Sequence, residues 1–177
     1  MVNVLFYEDL RDVVLVGKSY AGMVITGVAA RSPERLAHLV YLDAAVPQDG
    51  QSLADVLRGA AGPAVDAALA QWRATGDGWH MPLAPGAGPR LTPQPLKTLL
   101  DPVAAANPLG AALPRTYLYC TAKAPGLTAA ATAAAAAVAK AAGWRYRELP
   151  TDHEPEQHLP EALAELLLEA AAAGGTP

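Results

Sequence analysis

Cysteine is nearly absent from this chain: Cys120 stands alone among 177 residues, which excludes an internal disulfide framework and points to a reducing compartment. An excess of basic residues is missing too. With 13 Lys and Arg against 17 Asp and Glu, the net charge is −4, which leaves no electrostatic footprint for nucleic acid and favours a small-molecule partner. No uninterrupted apolar run reaches the length of a membrane span, because the alanine-rich stretches are broken by Lys and Gly. Nor does the N-terminus carry a charged-then-apolar leader pattern. These absences together predict a cytoplasmic location. Cys120 falls within an apolar, strand-like run and is expected to be a buried thiol.

What the chain does have begins at Val13-Val14-Leu15-Val16, an apolar run that breaks on Gly17-Lys18-Ser19-Tyr20-Ala21-Gly22. A buried strand that turns on a glycine, presents one serine and leads at once into a helix places that hydroxyl at the tip of a tight turn, a nucleophile elbow. Small residues two before and two after the serine, here Gly17 and Ala21, allow the turn. The helix behind it aims backbone N–H groups at developing negative charge. Gly-Lys-Ser after a strand also ends a phosphate-binding loop, but that motif needs a glycine at position 12, where Asp12 stands. Four aliphatic residues that read as a buried strand cannot wrap a phosphate.

Val13–Gly17 therefore reads as a strand, Tyr20–Arg31 as a helix ended near Ser32-Pro33, and His38–Asp43 as a second strand. Strand, helix and strand in this span form a βαβ unit with parallel strands. From Ala44 to Pro114 Pro and Gly recur, with helical candidates at Gln51–Arg58 and Ala64–Thr75. Such a stretch reads as a cap inserted over the sheet edge, where substrate contacts usually lie. Strands return at Thr116–Cys120 and Trp144–Leu149, separated by an alanine-rich helix over Thr128–Ala142, and Pro160–Ala173 closes the chain as an amphipathic helix.

A serine nucleophile needs a base, and the base needs an orienting acid. Of the four histidines, His38 lies at the amino end of its strand, away from the elbow, and His80 lies in the Pro/Gly-rich insertion as a solvated loop residue. His158 stands near the start of the last helix. His153 follows the last strand, at the carboxyl end of the sheet where the elbow also lies.

The stretches VVLVGKSYAGMVITGVAARSPERLAHLVYLDAAVPQDGQS (Val13–Ser52), LTPQPLKTLL, LPRTYLYCTA and GWRYRELPTDHEPEQHLPEALAELLLE follow one another in order over nearly the whole chain. They resemble an α/β-hydrolase of the bacterial esterase group related to plant hydroxynitrile lyases and methylesterases. The resemblance implies a partial α/β-hydrolase fold: a mostly parallel half-sheet of about four strands flanked by helices, in one domain spanning 1–177 with a cap at about 48–113. It implies Ser19 as nucleophile, His153 as base and the Tyr20 N–H as an oxyanion donor, with a small apolar ester as substrate and no cofactor or metal. Hydroxynitrile-lyase-like chemistry and a non-catalytic binding domain are the alternatives.

The chain departs from that pattern at three places. Lys18 stands where the family usually has histidine and is read as a side chain that snorkels its charge to solvent. The family's acid normally follows the strand that ends at Cys120, yet Thr121 to Arg147 contains no Asp or Glu. The nearest substitute is Asp43, at the end of the strand beside the elbow strand, which could equally brace the turn into Ala44-Ala45-Val46-Pro47. Finally, only 12 residues precede Val13, with Asn3–Leu10 reading as a helix end and no His-Gly or Gly-Gly before Ser19. The expectation is an N-terminally truncated fold, an impaired oxyanion hole and an exposed Val13–Val16 edge through which the chain self-associates, unless it is part of a longer polypeptide.

Overall fold

The computed structural model describes residues 1–83 and 85–174. Its centre is a sheet of four parallel strands, β1 (Val13–Lys18), β2 (Leu36–Leu42), β5 (Arg115–Cys120) and β6 (Arg145–Leu149), in the spatial order β1-β2-β5-β6. Chain order and spatial order coincide, so each crossover steps one strand further in the same direction. Before the sheet lies the short helix α1 (Val2–Tyr7), and α2 (Ala21–Arg31) links β1 to β2. Between β2 and β5 come α3 (Leu53–Ala61), α4 (Ala64–Thr75), the two-residue strands β3 (His80–Met81) and β4 (Gln94–Pro95), α5 (Lys97–Leu100) and α6 (Pro108–Ala112). Helix α7 (Leu127–Ala141) links β5 to β6, and α8 (Pro155–His158) and α9 (Pro160–Gly174) end the chain.

Period-two alternation along the strands divides the core into two layers. Leu39, Tyr41 and Tyr117 face Ile25 and Val28 of α2 and Ala135 and Ala139 of α7. Val40, Leu42, Leu118, Cys120 and Leu149 face Leu163 and Ala170 of α9. Because α7 meets the sheet with alanines, its backbone lies close to β5, and the buried Tyr117 hydroxyl sits between the carbonyls of Ala44 at 2.9 Å and Thr132 at 3.1 Å. A third cluster, Ala54, Val65, Leu69, Leu96 and Leu99, holds the segment between β2 and β5 together, and Tyr20 and Leu127 pack against it. The residues flanking the sheet's carboxyl end are thereby tied to that segment.

Element boundaries shift from the sequence reading for local reasons. Strand β2 stops at Leu42 rather than Asp43, because Asp43 takes a left-handed conformation with φ of 43°. Helix α3 begins at Leu53 rather than Gln51, because Ser52 caps it through a reciprocal pair with Asp55. It ends where Gly62 adopts a φ of 60°. His38 is the third residue of β2 rather than its first, buried with Nε2 2.8 Å from the Thr116 hydroxyl. His80 is half-buried beside the Trp79 ring rather than solvated, and no partner for its Nδ1 exists among the described residues. Among the described residues no helix is long and apolar enough to cross a membrane.

Strand β1 is an edge of the sheet, pairing among the described residues with β2 alone, and Val16 on it is 39% exposed. An open apolar edge is a template for strand addition. Sedimentation over a range of concentrations should show association that Val16→Lys weakens, with slowed amide exchange along Val13–Val16 in the associated form. A monomer at every concentration would exclude edge pairing.

Candidate active site

Three side chains of interest come from the carboxyl ends of three strands. Ser19 follows β1 directly in a left-handed conformation, with φ of 54°. A residue with a Cβ is held there against roughly 1–3 kcal/mol of local strain, and the surrounding bonds show how. The Ser19 N–H donates to the Leu42 carbonyl at 3.2 Å, and its own carbonyl accepts from Gly22 N at 3.2 Å and Ala45 N at 3.1 Å. Both the turn and the start of α2 are thus pinned to the end of β2.

Close approach explains the small residues of the elbow. A Cβ on Gly17 would lie 2.7 Å from the Ala21 carbonyl oxygen and 2.9 Å from Ile25 Cγ2. On Gly22 it would lie 2.0 Å from the Ala45 carbonyl oxygen. Ala21 is tolerated because the closest backbone contact falls one residue later, on Gly22. Gly22→Ala should therefore destabilise the fold by about 1–3 kcal/mol in urea unfolding, the usual cost of overpacking. A change within a few tenths would show that α2 shifts freely.

Asp43 is the second left-handed residue, at the end of the strand next to β1, and it is completely buried. Its N–H continues the ladder to Leu118 O at 2.7 Å, and its carboxylate points toward the ends of β5 and β6. Oδ1 accepts from Cys120 N at 3.2 Å and from Lys123 Nζ at 2.8 Å. Oδ2 lies 2.7 Å from His153 Nδ1. The loop after β6 carries His153 across the end of β5 to reach it, held by Ala122 N donating to Thr151 O at 2.8 Å. Because an ionised carboxylate only accepts, Nδ1 carries the proton, and in the neutral ring Nε2 presents its lone pair.

The structure therefore brings Asp43 and His153 together and places Ser19 at the neighbouring strand end. Among the described residues no hydrogen bond joins Ser19 to His153, and no acceptor takes the Tyr20 N–H at the start of α2. Such contacts often close only around substrate. A cavity of about 200 Å³ opens beside His153, lined by Lys123, Thr128, Asp152 and Glu154 among others. A larger groove of about 640 Å³ touches Tyr20, Met23 and Val24 but neither Ser19 nor His153.

The other histidines and the thiol make no side-chain hydrogen bond to Asp43 or His153 among the described residues. His158 Nδ1 lies 2.9 Å from Asp152 Oδ1, which also accepts from Glu154 N at 2.9 Å and turns the chain after His153. Burial, with Asp43 nearby, pushes the Cys120 thiol up to about 12, so it stays protonated at neutral pH.

Lys18 does not snorkel freely to solvent. Its ammonium reaches Glu154 Oε2 at 2.5 Å and Glu156 Oε1 at 2.5 Å, joining the residue before Ser19 to the residue after His153. Burial lowers its pKa, but the hydrogen bonds and charges of the two glutamates outweigh that and raise it. Burial likewise raises the Glu156 carboxyl, but the bond and charge of Lys18, together with bonds from its own backbone N–H and from Glu154, outweigh it, so its pKa is lowered. Sequence reading missed this pairing, although a lysine beside the serine and two glutamates after the histidine are its visible ingredients. A lowered carboxyl adds stability above its ordinary 4.5, lost as pH falls through that value and below it. Lys18→Met should therefore flatten the acid limb of stability measured by thermal unfolding at pH 3–6, an effect of modest size because the pair is half-exposed. An unchanged limb would remove the latch.

A parallel sheet with a strained serine after one strand and a histidine after the last is the arrangement of the α/β-hydrolases, and solved structures bear out the fold. The chain superposes on an extracellular α/β-hydrolase from a Paenibacillus species, described as sharing structural and functional homology with tobacco salicylic acid binding protein 2. The TM-score is 0.75 at 23% identity, over 96% of this chain and 76% of that one. A pyrethroid hydrolase from Sphingobium faniae JZ-2 gives a TM-score of 0.66 at 22% identity, over 92% and 72%. In sequence, 60 residues are 57% identical to a carbendazim-hydrolyzing esterase of Nocardioides sp. (strain SG-4G). That match covers 34% of this chain and 25% of the esterase. No family model matches the chain.

Proposed function

We propose that the chain is a serine hydrolase for small carboxylic esters, with Ser19 as nucleophile, His153 as general base, Asp43 as the orienting acid and the Tyr20 N–H as an oxyanion donor. The observation that carries this reading is the 2.7 Å contact between His153 Nδ1 and the buried Asp43 carboxylate. It fixes the tautomer in which Nε2 accepts a proton, on a histidine at the same sheet end as a serine with φ of 54°. Likeness to the Nocardioides esterase adds weight on the side of ester chemistry. The segment between β2 and β5 serves as the cap, meeting the elbow through Tyr20.

In this scheme Ser19 Oγ attacks the ester carbonyl carbon as His153 Nε2 takes its proton. Asp43 stabilises the resulting imidazolium, and the Tyr20 N–H faces the oxyanion. His153 then protonates the departing alcohol oxygen, and a water, deprotonated by the same ring, hydrolyses the acyl-serine. One oxyanion donor is worth about a hundred- to a thousandfold in rate, so the Tyr20 N–H carries a large share of the proposed catalysis.

Hydrolysis of p-nitrophenyl acetate by the chain, by Ser19→Ala and by Asp43→Asn tests the reading. Ser19→Ala should lose at least about a hundredfold, and Asp43→Asn should fall well below the parent at neutral pH. Equal rates from the parent and Ser19→Ala would leave a non-catalytic binding domain instead.

A further inference from the structure

The acid expected after β5 is not there, and a lysine has taken the space beside its substitute. From Thr121 to Ala139 the chain has a single charged residue, Lys123. Its side chain is 6% exposed, against a fully buried Asp43. Its ammonium has three partners. It donates to Asp43 Oδ1 at 2.8 Å and to the Cys120 carbonyl, and it stands 4.0 Å from the centroid of the Tyr119 ring. An ammonium is buried in this way only where a charge compensates it.

The geometry points to Lys123 as a positioning residue that sets the charge state of the Asp43–His153 pair, a role that rests on the function proposed above. With His153 neutral, Asp43 and Lys123 form a balanced pair of opposite charges. When His153 takes up a proton, the same carboxylate faces two cations, one on each oxygen. Lys123 thus weighs against the imidazolium and keeps the base unprotonated, and ready to accept a proton, to a lower pH than an isolated Asp–His pair would.

Other charged groups near the ring leave this balance in place. On its own loop Asp152 is engaged by His158 and Glu154 by Lys18, which also holds Glu156 of α8. From β5 and β6 the neighbours of Asp43 are Tyr117, Cys120 and Tyr146, all raised by burial first and so neutral at working pH. Helix α7 brings no acid to the site, and its Lys140 lies over the Tyr146 ring.

The test follows the His153 ring proton by NMR across pH 4–9 in the full chain and in Lys123→Met. Removing a charge within a few ångströms of the carboxylate should move the His153 titration up by about one pH unit. The acid limb of kcat/KM for p-nitrophenyl acetate should move with it. A titration that stays in place or moves down overturns the proposal. A second measurement needs no variant: the Lys123 ammonium resonance of the parent should change with the same midpoint as His153, and a signal constant through that titration overturns it equally. If the parent hydrolyses no ester, the proposed function falls by itself, and both NMR arms still decide the role of Lys123.

Discussion

A single buried carboxylate organises the carboxyl end of the sheet. Asp43 has no exposed surface, and its stability inside the protein depends on three donors that arrive from three directions. One is a backbone amide at the end of β5, one an ammonium from the turn beyond it, and one an imidazole from the loop after β6. Each donor fixes the element that carries it. The turn after β5 and the histidine loop are therefore held in place by the same two oxygen atoms that give the histidine its tautomer.

The left-handed residues give this end of the sheet its form. Ser19 and Asp43 follow adjacent parallel strands, and both have positive φ. Each turns the chain sharply away from its strand, and Asp43 aims its carboxylate across the sheet end. The two are coupled through the backbone, since Ser19 bonds to Leu42 and Ala45 on either side of Asp43.

Much of this was legible in the sequence, and the reasons are local. The apolar run before Gly17, the small residues around Ser19 and the position of His153 after the last strand are patterns of a few residues. They yielded the parallel half-sheet and the candidates Ser19 and His153. Asp43 emerged by elimination, because the segment after β5 is empty of acids, but whether it reached His153 or braced its own turn was open. That depends on φ at one residue and on a contact 110 residues away. Lys123 and the Lys18 latch stayed hidden because their partners are distant in sequence, and lone lysines resemble solvated ones until packing is known. His80 misled for a similar reason: a Pro/Gly-rich stretch looks solvated, yet its ring is covered by Trp79.

The long separations have a consequence for how the molecule comes together. Asp43 lies 80 residues from Lys123 and 110 from His153, so no local event can neutralise or orient it. A chain that has formed β1, α2 and β2 holds an apolar layer with an uncompensated carboxylate at its rim, and water stays at that rim until β5 and β6 dock. Enclosure of the Asp43 carboxylate is consequently completed only with the sheet. A partly folded chain exposes its serine turn beside a hydrated carboxylate with no imidazole against it, so the Asp43–His153 pair exists only once the last strand is in place.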